Sequence, residues 1–366
     1  GNMIGFKYAE SVSPETMFGY QYGSFILELS EDVPVGTPLG ETSAVGAISY
    51  GSERIFLTDL LRVYEDKLEP VYACNIASPA EAVHNFTFRT RSALASEVKF
   101  AKPRVLIPVF PGTNCEYDTA KAFADAGAEP EIFVIRNRSA EEVARSAELF
   151  AEKTANAQIV FIPGGFSGGD EPDGSGKFIT AFFRGERVKE EITRLLEERQ
   201  GLMGGICNGF QALIKLGLVP YGKIIDTDET CPTLTYNNIA RHQSRIVRVR
   251  VASVKSPWLS LVEAGEVFSV PISHGEGKFV ASPALIEQLA ENGQIMTQYV
   301  DLSDNATMDI RFNPNGSAAA IEGILSPDGR VFGKMGHSER KGEGLYKNVP
   351  GEYDMKLFES AVKYFK

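Results

Sequence analysis

From Pro103 onward, short apolar strands alternate with amphipathic helical stretches, and no other feature limits so tightly what this chain can fold into. RVLIPV (104–109), EIFVI (131–135), QIVFIP (158–163) and GLMGGI (201–206) read as strands bounded by turn residues. Between them, Asp118 to Ala126 reads as a helix, and Ser139-Ala-Glu-Glu142 opens another with a capping-box spacing. Val188, Ile192, Leu195 and Leu196 mark one face of a long helix ending near Gln200. Strands this uniformly apolar are buried on both faces, and the helices between them make βαβ units. The pattern predicts an α/β fold: an open, mostly parallel sheet with helices on both faces. In such sheets chemistry gathers at the carboxyl ends of the strands.

Upstream the texture differs. SFILEL (24–29) predicts a strand, and Leu60, Leu61, Tyr64 and Leu68 recur at helical spacing. Residues 1–75 thus read as a small α+β piece, too short to enclose a substantial core alone. Residues 76–102 show no firm period and read as a linker that crosses a surface, leaving 103–366 as the main domain. The length of 366 residues, 43% of them apolar and 23% charged, fits a globular chain of two domains. No window approaches the roughly 18 consecutive apolar residues that would span a bilayer. The N-terminus GNMIGFKYAE lacks the charged and apolar regions of a signal peptide. A cytoplasmic location with no membrane partner is the expectation. A net charge of -11 and a pI near 5.1 repel a phosphate backbone, which argues against nucleic acid as a partner. Cys74, Cys115, Cys207 and Cys231 are far apart with no CxxC pair, so a zinc knuckle or disulfide framework is not expected. No metal site is predicted.

One cysteine falls at the end of a strand. Gly205-Ile206-Cys207-Asn208-Gly209 has the spacing of a nucleophile elbow, in which the reactive residue sits on a strained strand-to-helix turn and glycines two away on each side prevent backbone clashes. Phe210, Leu213, Ile214 and Gly217 continue as a helix face, which places the thiol at a helix N-terminus, where the dipole favours a thiolate. The plainer alternative is a small buried cysteine in a glycine-rich turn. A thiolate that attacks a carbonyl needs oxyanion donors and a base. PGGFSGGD (163–170) follows the third strand and offers the backbone N–H of Gly165 or Phe166, together with that of Asn208. Against a Walker phosphate loop, GDEPDGSGKF has Glu171 where glycine is required and Phe178 where Ser or Thr is required; a plain surface turn stays open. Among the four histidines, His84 lies in the linker and His242 in the basic stretch ARHQSRIVR, where a solvated or structural role is expected. His274-Gly-Glu276 and His337-Ser-Glu339 share one arrangement, an imidazole after an apolar strand with a carboxylate two residues on. Spacing alone does not separate these two pairs.

GICNGFQ, PGGFSGGD, PISHGEGKF and NPNGSAAAIEGILSPDGRVFGKMGHSER, in this order, together with PGTNCEYDTAKAF and LTYNNIARHQSRIVRVRV, resemble the glutaminase domain of phosphoribosylformylglycinamidine synthase, the glutamine-using ligase of purine synthesis. The resemblance covers nearly everything from Pro103 to Phe365. It implies a flavodoxin-like glutaminase domain of the class I triad amidotransferases, with Cys207 as nucleophile, His337 as base, Glu339 as its orienting partner and Gln211 as the residue that contacts glutamine. His274 and Glu276 become a motif near the site. Two departures stand out: Ser338, preceded by Gly336, takes the place of the proline in the family's frequent His-Pro-Glu, and Gly168 stands where an aromatic residue is often found.

Residues 20–72 resemble the end of the synthetase part of the long single-chain form, so residues 1–75 are expected to be the C-terminal piece of an AIR-synthetase-like region and the chain a C-terminal fragment. The resemblance implies L-glutamine as substrate, upstream synthetase domains as partner, and no cofactor in this fragment, with ATP and Mg bound in the absent synthetase region. Two rivals remain in view: another cysteine hydrolase or amidotransferase on the same fold, and a non-catalytic docking fragment.

Overall fold

The structure, a computed structural model, describes residues 3–366 apart from 32, 74, 75, 80, 94 and 168–174. It divides into two compact units, Gly1–Ile76 and Ala77–Lys366.

The first unit holds β1 (Gly5–Tyr8), α1 (Pro14–Phe18), β2 (Gly40–Ser43), β3 (Ala47–Tyr50), β4 (Glu53–Phe56) and α2 (Leu57–Asp66), with the strands in the order β2-β1-β3-β4. Helix α2 lies where the leucine spacing predicted one, but none of its residues is buried. The strand expected at 24–29 does not form: SFILEL pairs with no ladder, and Phe25, Ile26 and Leu27 are exposed. A strand needs a partner ladder, and the described residues supply none; the exposed backbone here is left to solvent.

The second unit begins with residues 77–102, which run over its surface and pair Phe88 with Ser253 in an isolated bridge. Then follow β5 (Arg104–Val109), α3 (Glu116–Asp125), β6 (Glu129–Val134), α4 (Ala140–Thr154), β7 (Ile159–Ile162), α5 (Lys177–Arg184), α6 (Glu186–Glu197), β8 (Leu202–Ile206), α7 (Asn208–Leu216) and the single turn α8 (Leu218–Tyr221). Ser139 caps α4 by accepting from the Glu142 N–H, as its spacing predicted. The remaining elements are β9 (Thr233–Tyr236), β10 (Gln243–Val251), β11 (Val267–His274), β12 (Glu276–Val280), α9 (Pro283–Glu291), β13 (Ile295–Tyr299), β14 (Ile321–Leu325), β15 (Val331–Lys334) and α10 (Leu357–Tyr364).

Nine strands form one sheet in the order β11-β10-β13-β14-β15-β8-β7-β5-β6. The strands β6, β5, β7, β8 and β15 are mutually parallel, and antiparallel pairing then continues through β14, β13, β10 and β11. Only β14 and β10 therefore point against the rest, and the sheet is mostly parallel as the alternation predicted. The chain leaves β5 in one direction, to β6 through α3, then crosses back to β7 through α4. Since such crossovers are right-handed, α3 lies on one face and α4 and α6 on the other; α3 packs with α10, and α4 with α6. This reversal is the topological switch point, and the crevice it opens lies past the carboxyl ends of β5, β7 and β8. Beneath it the core is aromatic: Phe123, Phe161, Trp258, Phe332 and Phe358 pack edge-on or tilted, with ring centroids 4.8–6.3 Å apart.

Candidate active site

Cys207 sits between β8 and α7 with φ +54° and ψ −108°, a conformation that costs a non-glycine residue of order 1–3 kcal/mol and persists only where its surroundings enforce it. The two flanking glycines are required by close approach. A Cβ on Gly209 would lie 2.1 Å from the carbonyl oxygen of Ile162, and one on Gly205 would lie 2.7 Å from the carbonyl carbon of Gly209. The turn is therefore locked between β7 and its own helix. The Cys207 N–H donates to the Lys334 carbonyl at 2.9 Å, and its carbonyl accepts from the Gln211 N–H at 3.0 Å. The thiol reaches Ser273 O at 3.7 Å.

His337 arrives from the neighbouring strand. Since β15 pairs in parallel with β8, with Lys334 opposite Ile206, the residues that follow both strands emerge at the same end. The His337 N–H donates to Pro271 O at 2.9 Å, and its ring Nδ1 meets Glu339 Oε1 at 2.6 Å. All three groups are buried: Cys207 is 3% exposed, His337 2% and Glu339 3%. Burial alone would push the imidazole's pKa down. The carboxylate of Glu339, with the sulfurs of Cys115 and Cys207 as acceptors for the charged ring, outweighs it and holds the pKa well above the ordinary value. Glu339 is lowered in turn, since the charged imidazole overcomes the burial that would raise it.

The spacing left two His-x-Glu pairs open, and the structure distinguishes them. His274 ends β11 with its ring over Gly277, where a Cβ would meet the ring atoms at 2.3–2.7 Å. Both its ring nitrogens are buried without a hydrogen-bond partner among the described residues. Burial, followed by the charges of His337 and His242, lowers its pKa to about 3. Glu276 turns away from it and accepts from the Ser175 N–H at 3.0 Å, with Oε1 unpartnered among the described residues. The pair nonetheless lies beside the elbow, because Gln211 Nε2 donates to Glu276 O at 2.5 Å and Asn208 Nδ2 donates to Gln211 Oε1 at 2.9 Å. The Gln211 amide is thereby fixed from both ends. His242 contacts Ser273 Oγ at 3.0 Å through Nε2, and the His84 ring packs on Phe86.

The loop after β7 also enters the crevice. Gly165 bridges Thr113 in the loop after β5 and takes φ +143°. The two N–H groups expected there as oxyanion donors differ. That of Phe166 is spent on Gly112 O at 2.8 Å, because the short antiparallel bridge to 112–114 captures it; this corrects the expectation for Phe166. The N–H of Gly165 has no acceptor among the described residues. Asn208 provides the first amide of α7, and its side-chain Oδ1 accepts from the Ser167 N–H at 3.2 Å. Gly168 to Asp170, the rest of the predicted loop, fall outside the described residues.

Three participants escaped sequence reasoning. Cys115, at the start of α3, lies 3.9 Å from His337 Nδ1 and accepts from Arg340 Nη2 at 3.2 Å. Gly164 sits where the pieces meet: a Cβ there would lie 2.8 Å from His337 Cε1, 3.1 Å from Cys115 Sγ and 3.3 Å from Cys207 Cβ. The signal for Cys115 was its place just past the carboxyl end of β5, within PGTNCEYD. Cys115, His337 and Glu339 offer donor atoms within 4.8 Å of one another, a set suited to zinc, but the Arg340 guanidinium and the imidazole–carboxylate bond already engage them.

Residues 102–365 match the profile of the CobB/CobQ-like glutamine amidotransferase domain. The chain is 33% identical over 285 residues to the phosphoribosylformylglycinamidine synthase subunit PurQ of Methanococcus maripaludis, covering 72% of this chain and 97% of that one. Against the same subunit of Pyrococcus horikoshii it is 33% identical over 270 residues, covering 74% and 99%. The structure of PurLQS from Thermotoga maritima superposes with a TM-score of 0.53 at 29% identity, over 72% of this chain and all of that one. A strained cysteine elbow, a buried imidazole–carboxylate pair on the adjacent parallel strand, and these likenesses together place the chain in the family of glutamine amidotransferase domains that includes the PurQ subunits of phosphoribosylformylglycinamidine synthase.

Proposed function

We propose that this chain is the glutaminase part of phosphoribosylformylglycinamidine synthase, hydrolysing glutamine at Cys207 and supplying ammonia to a synthetase that makes formylglycinamidine ribonucleotide. The observation that carries this reading is the strained Cys207 elbow beside the His337–Glu339 pair, both within 3.3 Å of one point, where a Cβ on Gly164 would stand. The Cys207 sulfur attacks the side-chain amide carbon of glutamine, forming a C–S bond while the carbonyl electrons move to oxygen. In this reading the N–H groups of Gly165 and Asn208 stabilise that oxyanion. His337, held in its protonated form by Glu339, gives its proton to the leaving nitrogen as the C–N bond breaks and ammonia departs. The neutral imidazole then takes a proton from water, whose oxygen attacks the γ-glutamyl thioester; the C–S bond breaks, glutamate leaves, and the sulfur returns as a thiolate beside the protonated imidazole, ready for the next turn. Gln211, fixed by Asn208 and Glu276, braces the pocket from the first turn of α7.

The PurQ relatives are named as subunits of a synthase, and the solved neighbour is titled PurLQS. These names support a synthetase partner for this chain, and we assign to that partner the ribonucleotide, ATP and Mg, with the first unit as the end of such a region. No helix among the described residues is long and apolar enough to cross a membrane, and a role in purine synthesis supports a cytoplasmic location.

Labelling with 6-diazo-5-oxo-norleucine and mass mapping, with glutamine as competitor, tests the assignment. Modification of Cys207 alone, blocked by glutamine and absent in Cys207→Ala, is the expected result. Glutamine turnover retained by Cys207→Ala would sink it.

A further inference from the structure

The loop that carries His337 is gripped by a buried ion pair. Lys334, the last residue of β15, and Glu322 in β14 have fully buried side chains, with Nζ and Oε1 3.2 Å apart. Such a pair is seldom what makes a fold more stable, since apolar residues of similar volume usually serve as well. Most of its hydrogen bonds go to the loop that carries His337. Besides Glu322, the Lys334 ammonium donates to Gly336 O at 3.0 Å and to Ser338 Oγ at 3.0 Å, so its three protons all have acceptors. Glu322 Oε1 accepts from the Gly336 N–H at 2.6 Å, Glu322 O from the Met335 N–H at 3.2 Å, and Oε2 from Thr297 Oγ1. Ser338 Oγ passes its own proton toward Met355 Sδ at 3.3 Å. His337 is therefore flanked on both sides by residues tied to the pair.

Gly336 belongs to the same device. A Cβ there would lie 2.7 Å from Val270 Cγ2, 3.0 Å from Glu322 Oε1 and 3.2 Å from Lys334 Nζ. Only a residue without a side chain lets both charges reach the backbone. Where the related loop often reads His-Pro-Glu, a ring fixes φ at position 338; here serine stands there and its hydroxyl is held by the ammonium.

We propose that Glu322 and Lys334 are positioning residues for the glutaminase reaction, clamping Gly336 and Ser338 so that the His337 ring stays aligned between Cys207 and Glu339. The proposal rests on the reading of Cys207 and His337 as nucleophile and base. A side chain displaced by about 1 Å at a reacting centre loses up to ~100-fold in rate, so the clamp governs the chemical step and not glutamine affinity.

The test uses the full 366-residue chain and the inactivation of Cys207 by 6-diazo-5-oxo-norleucine, which separates the maximal rate from the half-saturating concentration. Lys334→Met combined with Glu322→Gln neutralises both charges without stranding either. This double variant should inactivate about 10-fold or more slowly, with half-saturation changed less than about 3-fold and a displaced pH profile. Ser338→Ala, a smaller change, should slow inactivation about 3-fold at unchanged half-saturation. A folded double variant with the wild-type rate and pH profile overturns the clamp. If the double variant does not fold, Ser338→Ala decides alone, and a wild-type rate there overturns it. A wild-type chain whose Cys207 resists the reagent overturns the catalytic reading, and the clamp with it.

Discussion

Replacing His274 with leucine should flatten the acid limb of the stability curve. The imidazole is buried with neither nitrogen hydrogen-bonded among the described residues, and its pKa falls to about 3. In the unfolded chain it returns to about 6.5. The folded pKa is the lower one, so between these values the unfolded state binds more protons and stability falls as pH falls. At pH 7 the unfolded imidazole is about a quarter protonated; at pH 5 it is almost wholly so, while the folded one stays neutral. With about 1.4 kcal/mol per pKa unit, the loss attributable to this residue between pH 7 and pH 5 is about 2 kcal/mol. Any folded pKa below about 4 gives nearly the same figure. Urea unfolding followed by the fluorescence of Trp258, the chain's one tryptophan and fully buried in the second unit, reads this loss directly. His274→Leu should lose about 2 kcal/mol less than wild type over that interval, whatever its absolute stability. Equal pH dependence in the two proteins, within about 0.5 kcal/mol, would refute the claim that the imidazole is held neutral.

Two further outcomes follow from the site. Gly164→Ala forces a methyl against His337, Cys115 and Cys207, and glutaminase kcat should drop about 10-fold or more while circular dichroism stays native; unchanged kcat would show that the three groups have room to spare. Glu339→Gln removes the charge that raises His337. Because the folded pKa is raised, the pair's stabilisation is fully present below about pH 6.5 and fades as pH climbs through the folded value. The variant's loss of stability, measured by thermal melts, should therefore be larger at pH 6.5 than at pH 10, and a loss that grows with pH would contradict the ion pair.

Much of the second unit was readable from its sequence because parallel strands buried on both faces leave little freedom in composition: RVLIPV, QIVFIP and GLMGGI became β5, β7 and β8 within a residue or so. The elbow was readable for a similar reason, since glycines at 205 and 209 answer a clash with Gly209 and Ile162 that any side chain would create. The two His-x-Glu pairs were not separable, because the same spacing lies in different backbones. At 274–276 the chain passes from one strand into the next, whereas at 337–339 a turn folds the carboxylate back onto Nδ1. Cys115, Arg340, Lys334 and Glu322 depend on strands and loops far apart in the chain meeting, and no local pattern records that. SFILEL failed in the opposite sense, since strand propensity without a partner ladder makes no strand.

Cys207 and His337, the proposed nucleophile and base, are separated by 130 positions along the chain yet follow adjacent rungs, β8 and β15, whose register fixes their spacing. The surface loops between those rungs can lengthen, shorten or acquire new decoration without altering that spacing, provided Lys334 stays opposite Ile206 and the strand residues that touch the site, Pro271 and Ser273 in β11 and Glu322 in β14, keep their places. The pair thus belongs to a fixed-distance frame, and the surface loops between the rungs to an insert that can change. An engineer seeking to attach a sensor or a new acceptor domain would cut on the surface of that insert, and would leave the two rungs untouched.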